Sequence, residues 1–114
     1  MYQIEFYSDK DGKEPVKDFI LELRNDSSSQ PLFQKVLTYI RLLEDKGTWL
    51  GEPYVKHLDD GIWELRPTPE RILFFLEDGG ILVLLHHFHK KTRKTPPQEI
   101  KTAKRRRKDY LARK

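Results

Sequence analysis

Three apolar stretches separated by two short turns constrain the fold of this chain more than any other feature. In residues 62–66, Ile62, Glu64 and Arg66 alternate with Trp63 and Leu65, which is the period of a half-buried strand. Residues 72–76 form a continuous apolar run, which is typical of a strand covered on both faces. Residues 81–85 follow across Asp78-Gly79-Gly80, a strong hairpin signal, and residues 67–70 provide the first turn. The centre of the chain is therefore predicted to be an antiparallel meander.

The N-terminal half predicts one strand followed by two amphipathic helices. Residues 2–7 alternate and are rich in strand-forming side chains. Pro15 and Pro31 suit helix starts, and Gly47 suits a helix end. Apolar side chains at helical spacing line one face of each helix: Val16, Phe19, Ile20 and Leu23 in the first, and Phe33, Val36, Leu37, Ile40 and Leu43 in the second. We expect this helical hairpin to cover one face of the sheet.

Residues 49–58 are predicted to be a connector that enters the sheet, and a last helix is predicted to begin near Pro97. Residues 104–108 are all cationic, and the apolar stripe of this helix is thin, so we expect it to gain little from packing. The fold class is α+β: a mainly antiparallel, twisted sheet with an N-terminal helical hairpin on one face and a basic C-terminal helix. We expect residues 1–114 to form one domain.

The charge distribution is strongly asymmetric. Residues 90–114 contain 12 Lys and Arg against 2 Asp and Glu, whereas residues 1–89 contain 10 basic and 16 acidic residues. A basic segment of this kind attracts nucleic acid or an acidic protein, although a solvated tail helix would have the same composition. The chain has no cysteine, which excludes thiolate chemistry and a disulfide scaffold. Because it also lacks a long apolar run and a signal-peptide pattern, we expect a cytoplasmic protein without membrane contact.

Five segments of the sequence together resemble the RelE/HigB superfamily of toxins, and in particular its phage-derived, RelE-like HigB branch. They are residues 4–7 followed by Gly12, Pro15-Val16 and Phe19, residues 61–66 (GIWELR), residues 71–75 (RILFF), residues 84–92 (LLHHFHKKT) and residues 94–103 (KTPPQEIKTA). Each segment alone would be a weak signal, but their combination and order are specific. The resemblance covers nearly the whole chain and implies a RelE-like fold.

The resemblance also implies an activity and its partners. It implies the toxin of a type II toxin–antitoxin system, which acts as a ribosome-dependent mRNA endonuclease (mRNA interferase) and inhibits translation. The implied partners are the ribosome with its mRNA and a HigA-like helix-turn-helix antitoxin, so that DNA is contacted only through the antitoxin. No cofactor and no metal are expected.

Arg66 and Arg71 are predicted to lie near each other across the first turn of the meander. RNA cleavage by its own 2′-OH requires proton removal from that hydroxyl, stabilisation of the extra charge on phosphorus, and a proton for the leaving oxygen. The planar guanidinium group matches phosphate oxygens and could supply the second requirement without a metal. The alternative for Arg66 is a structural ion pair with Glu64 or Glu70.

By resemblance, Arg71 takes the position of the family's arginine on the second meander strand, and Lys91 that of a basic residue just past the third. Lys56 matches a family lysine more loosely. We therefore predict Arg71, Lys91 and Arg66 as catalytic residues. The predicted RNA-binding residues are cations around the sheet end and on the last helix: Lys56, Lys90, Lys94, Arg105 and Arg106.

Histidine is the usual acid or base near neutral pH, and three histidines end the third strand. By alternation, His87 and His89 share one face, and we predict His87 as the catalytic histidine. If Leu84 faces the helical hairpin, the same alternation places His86 at the margin of that core. His87 and His89 lack a third ligand at suitable spacing for a metal.

The sequence departs from the best-known RelE pattern in one respect. Where that pattern has a tyrosine beyond the basic pair, this chain has Thr95-Pro96-Pro97. This leaves the proton donor and acceptor open and keeps two alternatives in view. One is a non-catalytic, nucleic-acid-binding regulatory module, and the other is a ParE-like gyrase inhibitor of the same fold.

Overall fold

The structure, a computed structural model, describes residues 1–114 and contains one five-stranded sheet with three α helices. The strands are β1 (Gln3–Phe6), β2 (Val55–Asp59), β3 (Ile62–Leu65), β4 (Glu70–Glu77) and β5 (Ile81–His89), and the helices are α1 (Pro15–Arg24), α2 (Gln30–Lys46) and α3 (Pro97–Ala112). The strand order is β1-β5-β4-β3-β2, with β1 parallel to β5 and all other pairs antiparallel. None of the helices combines the length and the apolar character needed to cross a membrane. The predicted α+β class and the mainly antiparallel sheet are confirmed, in agreement with a RelE-like fold.

The meander has four strands, one more than the sequence predicted. Val55–Asp59, interpreted above as a connector, pairs with β3 in an antiparallel register that opposes Lys56 to Glu64. In this edge strand only Val55 is buried, and Lys56 and His57 are exposed. The prediction of a connector was wrong because an edge strand with a single neighbour needs little apolar alternation to form.

The helical hairpin covers one face of the sheet, as predicted, and α1 and α2 begin next to Pro15 and Pro31. Gly47 ends α2 with a positive φ of 58°, and a Cβ here would clash with the ring of Tyr2. Twelve buried side chains from the hairpin and from one face of the sheet form the main core: Val16, Ile20, Leu23, Phe33, Val36, Leu43, Val55, Leu65, Ile72, Phe74, Leu82 and Leu84.

The opposite face of the sheet is covered by α3. Seven buried residues form the core on this side: Tyr7, Ile62, Leu73, Phe75, Val83, Leu85 and Ala103. Ala103 is the only fully buried residue of α3, which agrees with its thin apolar stripe. Polar contacts hold the rest of the helix, since Arg107 pairs with Asp60 and Lys104 with Asp59. The expectation that α3 gains little from packing therefore agrees with its few apolar contacts. The polar contacts of α3 were not predicted from the sequence.

A β-bulge in β5 changes which side chains face each helix layer. Phe74 opposes Leu84 and Leu73 opposes His86, so that Leu85 is the extra residue. Beyond the bulge the alternation is shifted by one position, and His86 lies on the α3 face instead of the hairpin face that Leu84 occupies. The prediction that His86 lies at the margin of the hairpin core was wrong for this reason.

Candidate functional site

Four cationic side chains gather on the α3 face of the sheet, at the end where β3 leads into β4. Lys56 of β2 stands opposite Glu64 in the register, and Arg66 follows Glu64 on the same face two positions later. Arg71 opens β4, and the backbone N–H of Lys90 donates to the carbonyl of Pro69 in the turn, at 3.1 Å. The turn between β3 and β4 and the end of β5 therefore bring the cations together.

The carboxylate of Glu64 lies at the centre of these cations. Its side chain is only 1% exposed, and its Oε1 lies 3.5 Å from Arg66 Nε and 3.7 Å from Arg71 Nε. The hydroxyl of Thr95 donates to the other oxygen, Oε2. Arg66 also pairs with the exposed Glu52 at 3.6 Å. The alternative interpretation of Arg66 as an ion-pair partner of Glu64 is thus realised, and the pair lies inside the cationic cluster.

A cleft of about 240 Å³ opens beside this cluster. Its walls are β2, the segment between β5 and α3, and the first turn of α3, and its lining residues are Lys56, His57, Leu58, Glu64, Lys90, Arg93, Lys94, Thr95 and Ile100. Four of these nine residues are cationic, and the single carboxylate is buried. We call Lys56, Arg66, Arg71 and Lys90 together with this cleft the cationic site. Its charge and its concave shape suit a phosphate-bearing ligand.

Burial and mutual repulsion affect two of the cations. Burial lowers the pKa of the Arg71 guanidinium, with Glu64 opposing the shift and Arg66 adding to it. Burial also lowers the pKa of the Lys90 ammonium, again against the attraction of Glu64, and the charges of Arg71, Arg66 and Lys56 lower it further. Lys90 is therefore easier to deprotonate than a free lysine, which favours proton transfer at this position.

His87 lies on the other face of the sheet, away from the cationic site. Its ring stacks on Phe19 of α1 with the centroids 4.2 Å apart, and its buried Nδ1 has no hydrogen-bond partner. Burial lowers its pKa. His89 bonds through Nδ1 to a carboxylate oxygen of Glu70 at 2.8 Å. His87 and His89 share a face as predicted, but the structure does not bring His87 together with Arg66 and Arg71.

His86 faces α3, where it connects the sheet to that helix. Its Nδ1 lies 3.1 Å from a guanidinium nitrogen of Arg106, and its Nε2 lies 2.6 Å from Glu99 Oε1. Because arginine only donates, Nδ1 accepts and Nε2 carries the proton that it donates to Glu99. Burial lowers the pKa of His86 despite the bond to Glu99, which agrees with a neutral ring. His86 is therefore committed to a structural contact.

The remaining predicted residues divide between the cleft, the surface and the interior. Lys94 lines the cleft beside Lys90, whereas Lys91 is exposed in the following segment and makes no ion pair. Arg105 is also exposed without an ion pair, but Arg106 donates to the carbonyl of Leu85 at 2.9 Å and is half-buried. Arg106 thus contributes to the docking of α3, and the RNA-binding roles of these residues remain predictions.

Sequence reasoning missed the central position of Glu64 and assigned Lys90 only to RNA binding. The alternation of residues 62–66 already places Glu64 and Arg66 on one face of the sheet, so the sequence does indicate that Glu64 lies beside Arg66. Lys90 enters the site through the bulge in β5, for which no glycine or proline provides a signal. Arg93 and Thr95, on the segment after β5, were also missed.

Comparisons with known proteins identify the family of the chain. Residues 19–108 match the sequence model of one family, described as "Phage derived protein Gp49-like (DUF891)". Comparison with curated proteins finds no match. The matched residues extend from α1 into α3 and include all four cations of the cationic site. The chain therefore belongs to the phage-derived Gp49-like family, a toxin-type family within the RelE/HigB superfamily.

Proposed function

We propose that this protein is the HigB-like toxin of a type II toxin–antitoxin system and that it inhibits translation by cleaving mRNA on the ribosome. The observation that carries the proposal is the grouping of Arg66, Arg71 and Lys56 near Lys90, beside a cleft that Lys56 and Lys90 line, in a chain of a toxin-type family. Fixed cations in a partly desolvated cleft are what a phosphate needs when its charge increases during a reaction.

In the proposed reaction, the 2′-oxygen of one nucleotide attacks the adjacent phosphorus and the bond to the 5′-oxygen breaks. Lys90 accepts the proton from the 2′-OH, a role that its lowered pKa favours. Arg66, with 22% of its side chain exposed, binds the phosphate oxygens directly. Arg71 is 10% exposed and adds positive charge from behind Arg66. The departing oxygen takes a proton from solvent, which leaves a 2′,3′-cyclic phosphate and a 5′-hydroxyl end.

The ribosome and an antitoxin are the proposed partners. The exposed cations Lys91, Arg93 and Lys94 continue the positive surface of the cleft along the segment after β5 and suit the phosphates of ribosomal RNA. Arg105 lies apart from them, in a hollow that it shares with Asp9, Asp11 and Asp109. A HigA-like helix-turn-helix antitoxin would neutralise the toxin and bind the operator DNA. We propose a cytoplasmic site of action because the ribosome is the target. Co-expression with a neighbouring helix-turn-helix protein should restore growth.

The decisive experiment adds the purified protein to a translation extract and maps new 5′ ends on a defined mRNA. We expect cuts only during translation, and we expect Arg66→Ala and Arg71→Ala to reduce their rate on the order of 100-fold. Arg41→Ala is the matched control, because it removes an exposed arginine of α2, a helix that covers the opposite face of the sheet. Circular dichroism should show that all three variants are folded.

Two outcomes would contradict the proposal. Binding to ribosomes or RNA without new 5′ ends would favour the non-catalytic regulatory module. Inhibition of DNA supercoiling by gyrase without any mRNA cleavage would favour the ParE-like alternative. Lys91→Ala and His87→Phe, tested in the same assay, decide whether these two residues also belong to the catalytic set.

A further inference from the structure

We infer that Glu64 is a positioning residue of the cationic site: its carboxylate holds the guanidinium groups of Arg66 and Arg71 in the orientation that the transition state requires. This inference rests on the proposed cleavage activity. It adds an anionic residue to the cations that the proposed reaction uses. A carboxylate repels a phosphate, so its presence at the centre of an RNA site calls for an explanation. The contacts of Glu64 supply one.

Glu64 is fixed from both sides. It lies in the middle of β3, where it opposes Lys56 on one neighbouring strand and Leu73 on the other, and its residue exposure is 0%. Its Oε2 accepts from Thr95, which anchors the segment between β5 and α3. Because two strands and one loop hold it, the carboxylate of Glu64 has a defined position. It can therefore orient side chains that are more mobile than itself.

The second oxygen, Oε1, holds both arginines by charge without binding them by hydrogen bonds. It lies 3.5 Å from Arg66 Nε and 3.7 Å from Arg71 Nε, yet Oε1 and Arg71 Nε both lack a hydrogen-bond partner. Attraction of this kind draws two like-charged groups towards one point. It leaves the terminal nitrogens of Arg66 free of Glu64, and a phosphate can displace the exposed Glu52, which lies 3.6 Å from Nη1. Without the carboxylate, the arginines would repel each other and separate.

The same carboxylate connects the arginines to the lysines of the cleft. Lys90, Arg93 and Lys94 precede Thr95 on the segment that Thr95 ties to Glu64. One buried group thus sets the distance between the arginine pair on the sheet and the cations of this segment. Orientation rather than affinity is therefore the expected contribution of Glu64.

Loss of the negative charge should move binding and catalysis in opposite directions. In Glu64→Gln the size of the side chain and its acceptor for Thr95 are kept, and the site becomes more positive. Ground-state affinity for RNA should be retained or increase because a repulsive charge is gone. The maximal cleavage rate should fall, on the order of 10- to 100-fold, because the two arginines lose their common counter-charge. A merely structural role would lower affinity and rate together.

The experiment measures these two quantities separately on the ribosome. Single-turnover cleavage at saturating protein gives the rate, and binding to ribosomes programmed with an mRNA that carries a 2′-deoxy nucleotide at the mapped cut gives the affinity. Glu64→Asp keeps the charge but withdraws the oxygen from both guanidinium groups, so its rate should lie between those of wild type and Glu64→Gln. Glu77→Gln is the matched control, since this buried carboxylate contacts Tyr110 and Lys114 outside the cationic site.

The outcomes separate this inference from the proposed function. If the wild type makes no cuts, the proposed function fails and the inference falls with it. If the wild type cuts and Glu64→Gln cuts at the same rate, or loses affinity and rate in parallel, only the inference is overturned. Should Glu64→Gln prove unfolded, Glu64→Asp decides alone: a reduced rate with retained affinity supports the positioning role, and a wild-type rate overturns it.

Discussion

The two faces of the sheet are attached to their helices by different kinds of contact. On the hairpin face, α1 and α2 contribute Val16, Phe33, Leu43 and other apolar side chains to a core of 12 buried residues. On the α3 face the core has 7 buried residues, and only Ala103 comes from the helix. Side-chain hydrogen bonds and ion pairs with the sheet and its loops hold the remainder of α3.

The difference between the faces explains where the cationic site lies. Apolar packing excludes water over a broad area, so a cation on the hairpin face would be buried without compensation. Polar docking leaves water and counter-charges near the sheet end, where Arg66, Arg71 and Lys90 can stay charged. The hairpin face thus carries the larger buried core, and the proposed chemistry lies on the α3 face. The following predictions test this division, from the largest expected effect to the smallest.

The largest effect should come from the hairpin face. Phe74→Ala removes a fully buried ring from the centre of β4 and should lower the free energy of unfolding by about 3–5 kcal/mol. Leu76→Ala is the control, because Leu76 lies on the same strand and is 41% exposed, and its cost should stay below about 1 kcal/mol. Urea denaturation measures both. Equal losses would mean that burial in the hairpin core does not determine what a β4 side chain contributes to stability.

The next effect concerns activity and contrasts the two faces directly. Lys90→Ala should reduce mRNA cleavage on the order of 100-fold, because it removes the proposed proton acceptor of the α3 face. His87→Phe on the hairpin face keeps the stacking on Phe19 and should cleave normally. Since the pKa of Lys90 is lowered, the wild-type rate should rise with pH below the ordinary pKa of lysine, and Lys90→Arg should abolish that rise.

A stable but inactive His87→Phe, together with an active Lys90→Ala, would reverse this assignment. The catalytic histidine indicated by the sequence would then be correct, and the functional surface would lie on the hairpin face. The pH–rate profile of Lys90→Arg provides an independent check, because arginine keeps the charge and cannot act as a base.

A smaller effect should follow from loosening α3. Arg106→Met removes the donor to the carbonyl of Leu85 and to Nδ1 of His86 while keeping an apolar side chain, and should cost about 1–3 kcal/mol. Arg105→Met changes an exposed neighbour and should cost no more than about 0.5 kcal/mol. Urea denaturation of both variants makes the comparison. If Arg105→Met were as costly as Arg106→Met, docking by the half-buried arginine would be refuted.

Acid should weaken the α3 face through His86. Burial lowers the pKa of His86 in the folded protein, so the unfolded chain takes up a proton first as the pH falls. The stability due to neutral His86 is therefore complete above the unfolded pKa of about 6.5 and is lost as the pH falls through the folded pKa. His86→Gln should show a shallower decrease in unfolding free energy between pH 7.5 and 5. An unchanged slope would contradict the assignment of a neutral ring.

The smallest effect should come from the exposed ion pair between Lys104 and Asp59. Lys104→Ala should lower the unfolding free energy by about 0.2–1 kcal/mol at low salt, because both groups remain in contact with water. The difference from wild type should disappear near 1 M salt, where the screening length falls to about 3 Å. A cost that persists at high salt would show that Lys104 acts through packing of its stem.

The sequence predicted the hairpin face well and the α3 face poorly, for a physical reason. Apolar side chains repeat with the period of their element, so the stripes of α1 and α2 and the run in β4 can be recognised without coordinates. The contacts of Arg106 with Leu85, of Arg107 with Asp60 and of Glu64 with Thr95 join residues that are distant in the sequence. No periodicity marks such pairs, and composition alone showed only a basic segment.

The bulge at Leu85 accounts for the main difference between the predicted and the observed site. Unbroken alternation from Leu84 would place His87 and Lys91 on the α3 face with the arginines. One extra residue in β5 brings His86 and Lys90 there instead. Bulges depend on how two strands fit together, and the neighbours of Leu85, Leu84 and His86, gave no indication of one. The sequence therefore predicted which residue types surround the cationic site. It did not predict the register of β5, which decides which histidine and which lysine lie there.

The parallel pairing of β1 with β5 has a consequence for how the chain folds. Gln3 pairs with Ile81, so this ladder closes a loop that contains α1, α2 and the strands β2 to β4, at a cost in chain entropy. Contacts of such long range slow folding, and we expect this step to govern the rate. Until it occurs, the apolar β5 presents an open backbone edge that can join an identical molecule. Refolding at high concentration should therefore compete with aggregation through this edge, and a free peptide with the sequence of β1, added in excess, should suppress the aggregation.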